Sequence, residues 1–436
     1  MKVGITTEYM DKRRTGIGNY TRSLIKGLLK IKNDYDIDIY ARHYMNNPYT
    51  KNEDRKMNPD KKLKVLVVPP KLGLSDTHNY YGGAISNIAY NLLLSLSKFA
   101  KIYAFVGGYD LVKSPPKNLK LYLFPDRFNQ YIGYIRKADK ILKQEKISLI
   151  TQLYFFYGVS FNLFREIKDY PFVIGMCELP HPLLSDEIGS KIKRYAAKIG
   201  KKITFPLFKK TLEHCDALIA VNEATKDLYS NLMPRSKIRV IPYGVDLEHF
   251  KYSPLPTNHN ILAVSRLIKR RSLDYLVEAM PSILKEYPDV RLHFVGSGPR
   301  REILQRRAKE LGVSSKVIFH GNVSANELVN LYKNCYVFCH LSFADGWNQP
   351  ALEAMASGRP VVCTDAPHNS MVKDKKMGFL IPYGDINILA EKIMELFGDR
   401  GLAEKMGIEG RKEAEEKYNW DEVGRKYYEV YKEVAR

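Results

Sequence analysis

The chain has 436 residues but only five cysteines and two tryptophans. The cysteines, Cys177, Cys215, Cys335, Cys339 and Cys363, are odd in number and scattered, and Cys335 and Cys339 lack CxxC spacing. This spacing favours neither a disulfide framework nor a cysteine-rich metal site, and the thiols read as reduced and buried in a cytoplasmic protein. No apolar stretch follows the first charges of "MKVGITTEYMDKRR", so no signal peptide is expected. The charge-free run Ile147 to Phe164, "ISLITQLYFFYGVSFNLF", is broken by Ser, Thr, Gln, Asn and Gly. It reads as a buried strand, a turn and the start of a helix, and no transmembrane helix is expected.

Negative charge is also scarce, and unevenly so. Residues 1–250 hold 41 Lys and Arg against 24 Asp and Glu, an excess of 17, while the rest of the chain supplies 4 of the net +21. Between Ile188 and Leu212 there are eight cations and no anion, interleaved with Ile, Tyr, Phe and Leu. Such a run is a solvated helix face or an interfacial helix on an anionic lipid surface. A basic surface attracts any polyanion, but no nucleic-acid motif accompanies this one, so no nucleic-acid partner is expected.

What is present is ordinary globular material, 45% apolar and 27% charged, in a chain long enough for two or three domains. The second half alternates short β-rich runs ("ILAV", "VRLHFVG", "KVIFHG", "YVFCHL", "PVVCTD", "GFLIP") with helical stretches. Ser324 and Glu327 form a capping box at one helix start. This alternation predicts an α/β fold with doubly wound parallel sheets, in which ligands bind beyond the C-terminal strand ends. The first half contains two similar beginnings, at Lys2 and at Lys64. Each reads as strand, glycine-containing loop, helix and second strand. A polar, Pro-containing linker at about residues 245–260 divides the halves.

The stretch "FADGWNQPALEAMASGRPVV", Phe343 to Val362, carries two carboxylates eight residues apart, Asp345 and Glu353. Asp345 and Trp347 read as an exposed loop. Pro350 suits the first helical position, which puts Glu353 in the first turn, beside the exposed N–H groups and positive end of the helix dipole. A helix N-terminus at a parallel strand end is a ready phosphate site. A carboxylate there can accept hydrogen bonds from ribose hydroxyls, and Asp345 can hold hydroxyls of a sugar. The pair suits a nucleotide-sugar with a diphosphate between its ends. Arg266 and Arg271, in "AVSRLIKRRSL", offer forked donors for that diphosphate. Gly296 and Gly298 in "FVGSGPRRE", and Gly82 and Gly83 in "YYGGAI", allow close approach to phosphate. Gly16 and Gly18 form a weaker duplicate of the latter pair. A first-turn Glu is also what dipole complementarity alone would select, and strand-end arginines are also common surface cations.

"DGWNQPALEAMASGRPVV", "SRLIKRRSLDYLVEA", "HFVGSGPRREIL", "IPYGVDLEHF" and "YYGGAISNIAYNLLLSL" resemble, in order, the motifs of retaining GT-B glycosyltransferases, most nearly family 4. The resemblance runs from about residue 62 to the C-terminus. It implies GT-B architecture, two Rossmann-like doubly wound parallel-sheet domains facing a central cleft. Residues 1–250 would be the acceptor-side domain, with 1–61 an extra βαβ-like unit. Residues 251–417 would bind the nucleotide-sugar, and 418–436 would cross back as a helix. Glu353 would hold the ribose, Asp345 the donor sugar, and Arg266 and Arg271 the diphosphate. Trp347, Asn348 and Gln349 would join the donor site. No cofactor is implied beyond a UDP- or GDP-hexose donor substrate, and no catalytic metal. The implied activity is hexose transfer with retention of anomeric configuration to a lipid-linked or anionic acceptor, in polysaccharide or glycolipid biosynthesis. The place of action would be the cytoplasm or the inner face of a membrane, with peripheral contact through 188–212. Two alternatives stand beside it: a phosphorylase or synthase on a soluble sugar, and a non-catalytic binding subunit. Departures from the family pattern motivate the second. Asp345 replaces the usual Glu, Arg271–Ser272 a Lys–Gly pair, and Cys177 a histidine, with Glu178 and His181 nearby. His368 and Asn369 stand where glycines and a glutamate are usual.

Overall fold

The computed structural model describes residues 211–435 without a break, and before them residues 2–6, 38–42, 63–68, 84–106, 116–123, 140–142, 144–153, 170–177 and 209. Strands β1 (Lys2–Thr6) and β2 (Asp38–Arg42) pair in parallel as a separate two-stranded sheet. The second of the two similar beginnings forms β3 (Lys64–Val68), helix α1 (Ala84–Leu96) and β4 (Lys101–Val106). Four strands of the same sheet follow β5 (Leu119–Leu123): β6 (Leu149–Leu153), β7 (Phe172–Cys177), β8 (Ala217–Ala220) and β9 (Ile238–Val240). This seven-stranded sheet is parallel throughout, in the order β5-β4-β3-β6-β7-β8-β9. β6 is fully buried, as the run from Ile147 predicted for its strand. No helix among the described residues is long and apolar enough to cross a membrane.

The second sheet has six parallel strands: β10 (Asn260–Val264), β11 (Arg291–Val295), β12 (Val317–Gly321), β13 (Val337–His340), β14 (Val361–Thr364) and β15 (Gly378–Ile381). Their order is β12-β11-β10-β13-β14-β15. β13 and β14 are buried along their whole length, the mark of a sheet covered on both faces. The order reverses between β10 and β13, and in open parallel sheets such a switch point is where ligands bind, beyond the C-terminal strand ends.

Connecting helices follow the predicted stretches: α2 (Glu223–Ser230) in the first unit, then α3 (Asp274–Glu286), α4 (Arg301–Glu310), α5 (Ala325–Lys333), α6 (Gln349–Ala356), α7 (Ile386–Gly398) and α8 (Arg400–Lys417). At α5 both halves of the capping box form: Ser324 Oγ accepts from the Glu327 N–H, and the Glu327 carboxylate accepts from the Ser324 N–H at 2.8 Å. The last helix, α9 (Trp420–Val434), returns to the first sheet. Ser95 Oγ donates to the Trp420 carbonyl at 2.6 Å, and the Tyr431 hydroxyl bonds Thr151 Oγ1 at 3.1 Å inside the core.

The stretch from 245 to 260 connects the sheets but is no loose linker. Val245 N–H bonds the Tyr418 carbonyl at 2.7 Å, and Phe250 is buried. Arg359, wholly buried, donates to the carbonyls of Ser253 and Pro254, while Arg400 donates to those of Leu255 and Pro256. A segment without periodicity is thus fixed by guanidiniums that satisfy its backbone acceptors.

Candidate functional site

β10 ends at Val264, and the chain leaves through Ser265 to Ile268 into one 3-10 turn, Lys269–Arg271. Beside it runs the loop after β11. Ser265 N–H donates to the Val295 carbonyl at 3.0 Å, and Leu267 N–H to that of Ser297 at 2.9 Å. The two predicted phosphate glycines serve this junction. Gly296 has φ +121°, and a Cβ there would lie 2.1 Å from the Ser265 carbonyl oxygen; one on Gly298 would lie 2.4 Å from that of Leu267. Their missing side chains are used by a neighbouring loop of the protein. Arg266 is exposed on this junction. Ser272 stands in the left-handed region at φ +48°, which accounts for a glycine at this position in the resembled pattern.

The 3-10 turn aims two successive arginines at the loop after β13. Arg270, only 7% exposed, donates through Nη1 to the Ala344 carbonyl and to Asp345 Oδ1, both at 3.1 Å. Arg271 donates to Asp345 Oδ2, and its Nη1 lies 2.9 Å from His340 Nε2. Asp345 is 7% exposed and Trp347 8%, so the loop that read as exposed is buried. The reason lies outside the loop: the two guanidiniums take both carboxylate oxygens, and Tyr243 and Tyr418 flank the indole at 6.3 and 5.9 Å between ring centres. Arg270 and His340 were not singled out from the sequence. The tandem "KRRS" held the signal for Arg270, whereas His340 looked like any strand-end residue.

His340 and His368 complete the cluster, their rings 5.7 Å apart and edge to face. Burial, then the neighbouring Arg271, hold the His340 pKa well below the usual imidazole range. Burial followed by Arg271 and Arg270 push that of His368 down to about 3. Both rings are therefore neutral at physiological pH, and His340 Nδ1 and His368 Nε2 are buried with no hydrogen-bond partner among the described residues. Among the described residues, the two guanidiniums, one carboxylate and two neutral imidazoles of the cluster sum to a positive charge, the balance of an anion site. His340, Asp345 and His368 bring potential ligand atoms within 4.8 Å of one another, the arrangement that could hold a metal ion. They fit one poorly: Arg271 Nη1 already bridges Asp345 Oδ2 and His340 Nε2, and two fixed positive charges would oppose a cation.

Helix α6 starts one residue earlier than expected. Asn348 is its N-cap, accepting from the Ala351 N–H at 3.1 Å, so Gln349 is the first helical residue and Pro350 the second. Glu353 consequently lies a turn inside the helix and not in its first turn, because Asn is a strong cap. It is 2% exposed, and the Tyr332 hydroxyl donates to its Oε2 at 3.0 Å. Asn348 also donates to Asn369 Oδ1 at 2.6 Å, and Gln349 Nε2 donates to the Gly244 carbonyl at 3.0 Å. Each of these residues thus has a partner inside the protein. Gly82, Gly83, Gly16, Gly18, Glu178 and His181 lie outside the described residues, as does nearly all of 188–212.

Two doubly wound parallel sheets, the second carrying a buried arginine–carboxylate–histidine cluster at its strand ends, define a GT-B-type protein. The sequence profile of Glycosyltransferase Family 4 matches residues 14–249, and that of glycosyl transferases group 1 matches 245–413. The chain belongs to Glycosyltransferase Family 4. It is 27% identical over 308 residues to the alpha-monoglucosyldiacylglycerol synthase of Streptococcus pneumoniae, covering 66% of each chain. It is 30% identical over 237 residues to the GDP-mannose-dependent alpha-(1-6)-phosphatidylinositol monomannoside mannosyltransferase of Mycolicibacterium smegmatis, covering 49% of this chain and 62% of that one. An uncharacterized glycosyltransferase of Methanocaldococcus jannaschii is 28% identical over 59% of this chain and 70% of its own. The matches thus span about two thirds of these relatives' length. Among solved structures, the sucrose-phosphate synthase of Thermosynechococcus elongatus superposes with a TM-score of 0.67 at 18% identity, covering 86% of this chain and 99% of that one. HepE of Anabaena, solved with UDP, gives 0.65 at 17% identity, over 86% of this chain and 100% of its own.

Proposed function

We propose that this protein transfers a hexose from a UDP- or GDP-linked donor to a lipid-linked or anionic acceptor, with retention of anomeric configuration. The observation that carries the reading is the positively charged, buried cluster of Arg270, Arg271, Asp345, His340 and His368 at the switch point between β10 and β13. A diphosphate would find guanidinium donors there, with Arg266 at the rim. As the bond from sugar to diphosphate breaks, negative charge grows on the departing oxygen, and fixed guanidiniums stabilise it without reorganisation. Asp345 would exchange part of its arginine contact for sugar hydroxyls. Glu353, aligned by Tyr332, would accept from the ribose. The neutral imidazoles would serve as hydrogen-bonding groups and not as acid or base.

In this reading residues 1–250 present the acceptor, residues 251–417 bind the donor, and residues 418–436 tie the two together. The basic excess of the first half and the cationic run from Ile188 to Leu212 favour an acceptor in an anionic membrane. The relatives from S. pneumoniae and M. smegmatis, whose names specify a glucosylated diacylglycerol product and a phosphatidylinositol mannoside, support that choice. The test is thermal unfolding with UDP, GDP, ADP and TDP, on the wild type and on Glu353→Ala and Arg271→Ala. A nucleotide present at about a hundred times its dissociation constant adds roughly 2.7 kcal/mol to the wild type. The expected result is one nucleotide that stabilises the wild type and neither variant. Equal behaviour of all three proteins with every nucleotide would remove the donor site from this cluster.

A further inference from the structure

Asn222 stands at the C-terminal end of β8 in the first unit, 5% exposed, and spends its whole amide. Its Oδ1 accepts from the Thr225 N–H at 2.8 Å and so caps α2. Its Nδ2 turns the other way, into the second unit, where it donates to the Gly346 carbonyl at 2.9 Å and approaches that of Pro367 at 3.5 Å. Gly346 follows Asp345, and Pro367 precedes His368. One side chain from the first sheet therefore holds the two loops of the second that carry the carboxylate and imidazole of the proposed donor site.

We propose that Asn222 is a positioning residue, coupling the approach of the first unit to the placement of Asp345 and His368. When the units meet, the amide fixes the Gly346 and Pro367 carbonyls relative to each other, and the adjoining side chains are set with them. When they separate, both carbonyls lose that donor, and Gly346 and the Asp345 beside it lose their hold on Pro367. The two loops remain tied through Asn348, whose N–H donates to the His368 carbonyl at 3.3 Å and whose Nδ2 donates to Asn369 Oδ1 at 2.6 Å. Among the described residues, Gln349 Nε2 also donates across to the Gly244 carbonyl and Arg411 Nη1 to the Phe250 carbonyl, and these anchor α6 and α8 and touch neither loop. The role in turnover rests on the donor-site reading above, whereas the role in closure does not.

Asn222→Asp and Asn222→Ser separate this role from the helix cap, because Asp and Ser cap helices about as well as Asn. Asp replaces the donor with a carboxylate facing two carbonyls, and Ser is too short to reach them. Four quantities are measured on the full chain: the unfolding temperature, affinity for UDP and GDP, acceptor-free hydrolysis of UDP-glucose and GDP-mannose, and the radius of gyration by small-angle scattering. The proposal expects near-wild-type nucleotide affinity in both variants and a near-wild-type unfolding temperature in Asn222→Ser, with a kcat for hydrolysis lowered about tenfold or more, KM little changed, and an increased radius of gyration. A kcat matching the wild type, or one that falls only in step with nucleotide affinity and unfolding temperature, overturns it. If the wild type hydrolyses neither donor, the scattering comparison decides: equal radii for the wild type and both variants overturn the coupling. Failure of the wild type to bind any nucleotide counts against the donor site alone.

Discussion

Asp345 holds two guanidiniums in a region almost closed to water, and its neutral isostere tests what that arrangement is worth. Asp345→Asn removes the buried carboxylate that Arg270 and Arg271 share, and breaking a buried pair typically costs about 3–5 kcal/mol. Urea unfolding should show a loss in that range, and a change below about 1 kcal/mol, as for exposed pairs, would mean that solvent already reaches the arginines. At the same scale, the imidazoles predict what pH does to activity. The His368 pKa near 3 and the strongly lowered pKa of His340 leave both rings neutral through the usual assay range. Donor turnover should accordingly lack a titration limb near pH 6.5, and a limb there that vanishes in His368→Asn would show that the ring does take up a proton.

Among the elements, adjacent strands β11 and β12 carry a second histidine pair. His293 Nδ1 lies 2.9 Å from His320 Nε2 with the rings stacked, and burial, followed by the charges of His320 and Arg291, holds the His293 pKa at about 4. A histidine whose folded pKa is lowered binds its proton in the unfolded state first. Its contribution is complete above about pH 6.5 and is lost as pH falls toward 4, at up to about 1.4 kcal/mol per pH unit. His293→Gln should flatten the fall of the unfolding temperature over that window; an unchanged slope would place the acid sensitivity elsewhere. Helix α6 illustrates how far elements are legible. Pro350 and Gly358 bracket it to within a residue, but the cap falls to Asn348, which moves Glu353 inward by one residue and out of the first turn. Tyr332, on another helix, then became its hydrogen-bond partner, which no local pattern could announce. Tyr332→Phe should weaken nucleotide affinity while costing about 1–2 kcal/mol of stability; unchanged affinity would separate Glu353 from the ribose.

At the scale of the whole molecule, charge is the testable feature. Eight cations without an anion between Ile188 and Leu212 should hold the protein on vesicles containing anionic lipid. Sedimentation should fall steeply between about 0.1 M salt, where charges act over ~10 Å, and about 1 M, where they act over ~3 Å. Binding to neutral vesicles that is equally strong and indifferent to salt would replace electrostatic attraction with apolar insertion.

The sequence by itself determined the α/β alternation, the parallel sheets, the glycine-bounded turns and the uneven charge, because each is written in spacing along a short stretch. It also marked Asp345, Arg271 and Glu353 as residues of interest. The tertiary structure alone decided their partners. Arg270 meets Asp345 across 75 positions, Asn222 meets Gly346 across 124, and Trp347 is covered by Tyr418. Local periodicity encodes which face of an element is buried. Which groups meet at the strand ends depends on the order of strands in the sheet and on how two sheets come together, and the β10–β13 reversal exists only once the sheet is assembled.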